Sequence, residues 1–412
     1  MNKKITTKNY FTNNSQLLVP LIAILLLLIF NLIRDPSFFS IGIATNNNGD
    51  PVLQGNLISI LNGASELVVI SMGMTLVTAA SGGQDISVGA LAAIAGSVFV
   101  KVIKSGGTIS PALVLGAFLL CSLVAMIFGC FNGMLVSAFG IQPMIATLIL
   151  FTCGRSIAYW INGGATPTVS SPIITAVGSF IPGVPVPTPI LIVILMAIFF
   201  GLLFRFTTLN LYIQTVGINQ NASRLNGIHV AGIKLLAFIL LGLCCAVAGV
   251  IGVSRLSLIN HETILLNIEM DAILAVAIGG NNLGGGKFKM LGSVLGAYAI
   301  QALTITLYAM KVPSTDVKAY KAIVIVLLVV LGSPVVKEAM ARIRRKLRGR
   351  RSAALAKEVG NGRKGFRYFS SSQRAHHRHT TASDHHDLYL CVYVCGRHID
   401  LGRRLQKAAN AL

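Results

Sequence analysis

Between residues 17 and 336, long apolar runs alternate with short polar breaks. The runs are Leu17–Ile33, Leu57–Ala80, Val88–Ile103, Ala112–Phe139, Met144–Ile161, Ile190–Phe206, Ile233–Ser254, Leu291–Ala309 and Ala322–Val336. About 20 helical residues cross the roughly 30 Å hydrocarbon layer of a bilayer, so each run predicts one crossing, the shorter ones with help from their flanks. A tenth piece, Ile268–Ile278, is too short to cross with ease; it opens on Glu269 and Asp271 and ends at Gly279-Gly280. That pattern predicts a broken or re-entrant helix, because irregular backbone survives at membrane depth where protein or a water-filled cavity covers it. The expected fold is all-α, a polytopic transmembrane helix bundle of about ten membrane segments including one short or re-entrant helix.

Composition narrows the class. The chain has 412 residues, of which 54% are hydrophobic and 11% charged, and its mean hydropathy is +0.74. Soluble domains carry about a quarter charged residues, so a soluble globule and a disordered chain are both excluded. The 41 glycines suit helices packed closely in lipid. Lys and Arg outnumber Asp and Glu 16 to 8 in residues 1–336 and 18 to 5 in residues 337–412, and six of the eight His lie in that last stretch. Such a balance can signal nucleic acid, but these bases adjoin a hydrophobic span and read as cytoplasmic topology determinants, with no nucleic-acid partner.

The domain reading is a cytoplasmic N-terminus over 1–16, a transmembrane domain over 17–336, a basic cytoplasmic end over 337–359, and an atypical tail over 360–412. Lys3, Lys4 and Lys8 resemble the start of a signal peptide, yet no small-residue cleavage site follows and more spans do, which predicts a retained first helix. Ten crossings from a cytoplasmic N-terminus place the loops 205–232 and 284–289 and the C-terminus inside. Arg34, Lys101, Lys104, Arg255 and Lys311 fall outside, and the proline-rich stretch Pro167–Pro189 becomes an external connection. The seven Cys form neither a disulfide framework nor a strong metal-ligand spacing.

Catalysis has little support, since the chain has no Gly-x-Ser-x-Gly elbow and no His-Glu-x-x-His pair. The nearest phosphate-loop mimic, Gly284-Gly285-Gly286-Lys287, has Asn281 where the first glycine belongs and Phe288 where Ser or Thr would bind magnesium. No enzyme activity, cofactor or metal is expected of this chain, and any ATP would be hydrolysed by another polypeptide.

Three polar segments stand out. Ser81–Gly89 places Gly82, Gly83, Asp85, Ser87 and Gly89 between two apolar runs. A carboxylate at membrane depth costs about 3 kcal/mol on insertion scales and faces an aqueous path or a polar partner; the plainer reading is a short loop with Asp85 capping the next helix. Val216–Ile228 is a polar insertion long enough for a short helix along the membrane face, to be gripped by a partner or simply solvated. In Glu269–Gly280 and the following Gly284–Gly286, glycines permit tight turns and close helix approach. The carboxylates there cap the short helix, meet substrate hydroxyls, or do neither.

In this order and spacing the segments resemble the permease subunit of bacterial ATP-binding-cassette importers for monosaccharides, the group that includes ribose, xylose and galactofuranose systems. The family's Gly-Gly-x-Asp-(Leu/Ile)-Ser-Val-Gly signature is similar to Gly82–Gly89. Its loop pattern is similar to Gly217, Asn219, Ala222, Gly227 and Ile228, and its third motif to Glu269, Asp271, Ala272, Ile273, Ala275, Val276, Gly279 and Gly280. Ile141–Leu150 and Gly154-Arg155 add a likeness to the galactofuranose type. The resemblance spans roughly residues 17–336 and implies a pore half in the bacterial inner membrane with both termini cytoplasmic. Implied partners are a cytoplasmic ATPase, a periplasmic sugar-binding protein, a second permease copy or sister permease, and membrane lipid. It also implies that the loop carrying Gly217, Asn219, Ala222, Arg224 and Gly227 docks on the ATPase. Asp85, Ser87 and Gln142 are the candidates for the substrate path, and Gly82, Gly83, Gly89, Glu269, Asp271, Gly279 and Gly280 are signature positions with structural roles. Arg155 is expected to pair with a carboxylate or a backbone carbonyl, and Trp160 to anchor a span end at the interface.

Two other functions fit the same pattern. An ion-coupled secondary transporter would need an essential buried carboxylate, which Asp85 or Glu269 supplies; a membrane receptor or scaffold would use the 217–227 loop without transport. The tail departs from the family: near Gly360 the residue usage changes abruptly and both helical and strand periodicity stop, as a frameshift or a fused stretch would produce, and disorder is expected there. Deleting residues 360–412 is expected to leave uptake by the assembled transporter unchanged, measured with radiolabelled sugar in vesicles.

Overall fold

The computed structural model describes residues 17–45, 51–313 and 315–323, all within one compact unit spanning residues 1–336. The expected divisions at 1–16, 337–359 and 360–412 lie outside the described residues. The described chain begins with α1 (Leu18–Arg34), a 3-10 turn (Pro36–Phe39) and an antiparallel hairpin of β1 (Gly42–Thr45) and β2 (Pro51–Gln54). The pairing runs from Gly42 opposite Gln54 to Thr45 opposite Pro51. Asp35 caps the 3-10 turn by accepting from the Ser37 backbone N at 3.0 Å and Oγ at 2.6 Å, which holds its carboxyl below the usual range.

The bundle follows as α2 (Asn56–Gly63), α3 (Ser65–Ser81), α4 (Val88–Ser105), α5 (Pro111–Ser137), α6 (Pro143–Ile161), α7 (Pro172–Gly178) and α8 (Thr188–Phe206). Then come α9 (Leu209–Ile218), α10 (Gln220–Leu225), α11 (Val230–Leu256), α12 (Ile268–Ile278) and α13 (Met290–Ala309). Residues 315–323 are also helical. Prolines at Pro111, Pro143, Pro172 and Pro189 each sit in a first helical turn, where their missing N–H costs no hydrogen bond.

Among the described residues six helices, α4, α5, α6, α8, α11 and α13, are long and apolar enough to cross a membrane by themselves. The predicted single crossing over Leu57–Ala80 is instead a pair, α2 and α3, bent by 42° at Ala64. α1 is a shorter apolar helix, and α12, with 11 residues, is the expected short segment. The predicted last span, Ala322–Val336, falls almost wholly outside the described residues. Two elements escape the hydropathy pattern: the β1–β2 hairpin, whose strands have four residues each, and α7, a helix inside the stretch read as a proline-rich connection.

α3 is the axis of the bundle, every residue from Ser65 to Ala80 being buried. α4 and α11 pack around it, while α5, α6 and α8 turn large apolar side chains outward, including Leu119, Leu123, Ile127, Leu195, Ile198 and Leu202. Those faces suit hydrocarbon rather than water. Glycines set the helix separations. A Cβ at Gly129 would lie 2.5 Å from the Phe238 carbonyl oxygen, and one at Gly242 would lie 2.5 Å from that of Ala125, so α5 and α11 meet backbone to backbone. Polar side chains add interhelical ties of the kind lipid favours: Asn31 donates to Thr306 Oγ1 at 2.8 Å, joining α1 to α13, and Thr75 donates to Ser293 Oγ at 2.6 Å, joining α3 to α13.

The two ends of the bundle differ. One carries α9, α10 and the turns at 82–87 and 280–289. The other is stitched by main-chain bonds between connections, Leu53 N to Pro185 O at 3.0 Å, Val169 N to Ser257 O at 2.8 Å and Ile259 N to Pro167 O at 3.1 Å. There Arg255 pairs with Glu66 at 3.3 Å and donates to the Asn62 backbone and side-chain oxygens, fixing the bend between α2 and α3 to the end of α11. Gly242→Val is expected to force α5 and α11 apart and destabilise the protein by about 2–3 kcal/mol. Gly116→Val, where no atom lies within 4 Å of an added Cβ, should leave the thermal midpoint in detergent unchanged.

Candidate functional site

The three polar segments singled out by sequence meet at the α9–α10 end. α3 stops at Ser81 because Gly82 adopts a left-handed conformation (φ 69°), and the chain runs irregularly through Gly82–Ser87 before α4 begins at Val88. Ending a helix orphans its last carbonyls. That of Ala79 is satisfied from far along the chain, by the Gly286 N–H at 2.9 Å. Gly217, near the end of α9, lies directly over the same carbonyl: a side chain there would collide with Ala79 O and come within 2.5 Å of Gly286 N. Gly82 faces Gly284 in the same manner, an added Cβ reaching 2.9 Å from the Gly284 oxygen. Gln84 extends the contact by donating from Nε2 to the Leu283 carbonyl at 2.9 Å.

Asp85 and Ser87 are fully buried, and this conformation satisfies them internally. Asp85 Oδ1 accepts from Ser87 N at 2.7 Å and Ser87 Oγ at 2.6 Å. Asn132 of α5 donates to Ser87 Oγ at 2.9 Å and to Asp85 Oδ2 at 3.4 Å. The Ile86 N–H donates to Thr147 Oγ1 of α6 at 3.2 Å. The irregular segment is therefore tied to both neighbouring helices, as buried backbone requires. Gln142 does not join this network; it is exposed at the start of α6, beside Pro143, which packs on Gly83.

In the second segment, Asn219 caps α10 by accepting from the Ala222 N–H at 3.0 Å. Asn219, Ala222, Arg224 and Gly227 are exposed and Gly217 half-buried, while Leu225 is 90% exposed and Ile218 61%. This is a presented surface with an apolar crest.

The third motif divides. Asp271 pairs with Lys321. Glu269 is buried, and its Oε2 has no hydrogen-bond partner among the described residues. It sits beside Gly89, where an added Cβ would lie 2.6 Å from Glu269 Oε2 and 3.2 Å from Arg155 Nη2. Arg155 itself holds backbone carbonyls, with Nη1 donating to His261 at 2.8 Å and to Glu262 and Ile264 at 3.2 Å. Gly279 packs on Gly292, and a Cβ at Gly296 would collide with the Ala275 carbonyl, so α12 and α13 form a closed hairpin. Gly280 has φ 76° and turns the chain out of α12. Trp160 is exposed near the end of α6.

Sequence reasoning missed Asn281, Asn132 and Thr147. Asn281 braces the 281–289 turn, accepting from Lys289 N at 2.7 Å and donating to Ser293 Oγ at 2.8 Å. The interruption of an apolar run by Asn132 was the one visible signal; the others look like ordinary loop and helix polar residues. Among the described residues no group of three or more His, Cys, Asp or Glu is placed to hold a metal ion.

Asp85→Ala would leave the Ser87 N–H and the Ser87 hydroxyl buried without their acceptor, while the Asn132 amide would keep Ser87 Oγ and lose only its longer contact. It is expected to destabilise by about 3 kcal/mol, and Asp85→Asn, which keeps one acceptor oxygen, by about 1 kcal/mol; thermal unfolding in nanodiscs measures both.

Comparison with known proteins supplies the family. The permease galactofuranose transporter permease protein YtfT of Escherichia coli K12 is 37% identical over 317 residues, 76% of this chain and 88% of its own length. The fructose import permease protein FruF of Bifidobacterium longum is 33% identical over 338 residues, 81% and 92%. The ribose import permease protein RbsC of Escherichia coli K12 is 33% identical over 318 residues, 76% and 92%. No solved structure matches the chain. Residues 56–332 match the family described as branched-chain amino acid transport system / permease component. With its apolar helices and its site at one end of the bundle, the chain belongs to that family and is a multi-pass membrane permease.

Proposed function

We propose that this chain is the pore-forming subunit of an ATP-binding-cassette importer that brings a monosaccharide across the bacterial inner membrane, with both termini cytoplasmic. The relatives named for galactofuranose, fructose and ribose support the substrate class. The observation that carries the mechanism is the convergence of the exposed 217–227 loop with the Gly82–Ser87 segment and the Gly284–Gly286 turn at one end of the bundle. A partner gripping that loop is one backbone contact away from the buried segment between α3 and α4.

In this reading a separate ATPase docks on Gly217, Asn219, Ala222, Arg224 and Gly227, and a periplasmic receptor delivers sugar at the stitched end. A second permease, of the same or a sister chain, completes the pore. The two ligands bias two conformations of the bundle, each by its differential affinity for them. Asp85, Ser87 and Gln142 are the proposed polar contacts of the path; the first two become available once the Asn132 network opens. The chain needs no cofactor of its own, because ATP is used by the partner.

Replacing residues 217–227 with a flexible Gly-Ser linker is expected to cut ATP-dependent uptake at least tenfold while membrane insertion persists. Uptake by the unaltered complex should require ATP and the receptor, and should survive collapse of proton and sodium gradients. Wild-type uptake with the linker in place would refute the docking assignment; uptake driven by an ion gradient alone would refute ATP coupling.

A further inference from the structure

The turn at Leu283–Gly286 touches both halves of the candidate site. On one side it meets the docking segment: Gly286 lies beneath Gly217, and an added Cβ at Gly286 would sit 3.1 Å from Ile218. On the other side it holds the irregular segment through Gln84 Nε2 on the Leu283 carbonyl, and through Gly82 packed on Gly284 and Gly285. The Ala79 carbonyl, last support of α3 before the break, receives the Gly286 N–H between the two. Apart from the Gln84 side chain on Leu283 and the Ile218 side chain near Gly286, these are contacts of backbone on backbone, with little between them to absorb a displacement by changing rotamer.

The turn is itself braced. Asn281 closes it onto Lys289 and Ser293, and Ser293 is bonded to Thr75 of α3. A shift of the docking loop therefore moves the turn as a unit. Gln84 is buried, one residue before Asp85, so the turn's movement reaches the Asp85–Ser87–Asn132 network directly.

We propose that the Leu283–Gly286 turn is the relay through which the 217–227 loop controls the Gly82–Ser87 segment, with Gly217 and Gln84 as its two positioning residues. The relay rests on the import reading above and names the internal path of its coupling. Gly217 acts at the input, where any side chain would wedge α9 off the turn. Gln84 acts at the output, where loss of its amide would let the turn move without drawing the segment along.

The test uses the full complex of permease, ATPase and receptor in nanodiscs and proteoliposomes, with ribose, fructose and galactofuranose as probe sugars. In a background with the seven native cysteines replaced by alanine, Ile86→Cys reports the segment's accessibility to a maleimide with and without a non-hydrolysable ATP analogue. The relay requires that Gln84→Leu keep the ATPase bound and hydrolysing, raise ATP consumed per sugar at least tenfold, and abolish the nucleotide-dependent change in labelling. Gly217→Ala, whose methyl would meet the Ala79 carbonyl, should by itself abolish the nucleotide-dependent change in labelling; Gln84→Glu, which keeps length but as a carboxylate loses the donor, should behave as Gln84→Leu. Where Gln84→Leu assembles poorly, the Glu variant is read instead.

Wild-type ATP-to-sugar stoichiometry with intact nucleotide-dependent labelling in either Gln84 variant overturns the relay. Failure of the unsubstituted complex to accumulate any probe sugar with ATP overturns the import reading itself, and is thereby distinguished from failure of the relay.

Discussion

The Ala79 carbonyl is the point on which the α9–α10 end depends. A helix that stops inside a packed bundle leaves acceptors that water cannot reach, and a buried group left unsatisfied costs about 1–3 kcal/mol. Here the acceptor freed by the break after Ser81 is taken by a backbone N–H from the 280–289 turn, and the only residue that can lie over that bond without a collision is one lacking a side chain. The requirement fixes Gly217 above the bond and Gly285 and Gly286 beside it. Three segments that are distant in the chain are held together because one carbonyl needs a partner.

The same requirement explains the buried polar groups. Asp85 is tolerated because Ser87 and Asn132 surround it, and Arg155 because three carbonyls of the 261–264 turn accept its protons. Glu66 is met by Arg255. Each pairing joins an irregular stretch or a bend to a continuous helix, so charge within the bundle serves to hold departures from helical geometry in place. Glu269 is the exception, with one oxygen beside Gly89 and no donor on it among the described residues.

Hydropathy alone located α4, α5, α6, α8, α11, α13 and the short α12, because a span must be apolar over its length and little else in the chain is. It did not separate α2 from α3, although Asn62, Gly63, Ser65 and Glu66 interrupt the apolar run around Ala64; the tie from Arg255 to Asn62 that holds the bend comes from far along the chain. The hairpin over 42–54 and helix α7 are too short to impose a period on the sequence. At the site, the glycines and Asp85 were legible as departures from an apolar background. Their partners were not: Gly217 meets Ala79 and Gly286 through main-chain atoms, which every residue possesses, and Asn132 and Asn281 act through folds of the chain that bring distant segments into contact.

The α12–α13 hairpin has a mechanical corollary. Its arms touch at Gly279, Gly292 and Gly296 with no side chains between them, and Asp271 clasps Lys321 from the next helical stretch. Two helices in such contact have no interleaved ridges to slip one notch along; they can pivot only together, like the two legs of a staple. Any opening of the bundle along α13 must therefore carry α12 with it, and the short helix, unable to span the bilayer alone, travels as a passenger on the long one.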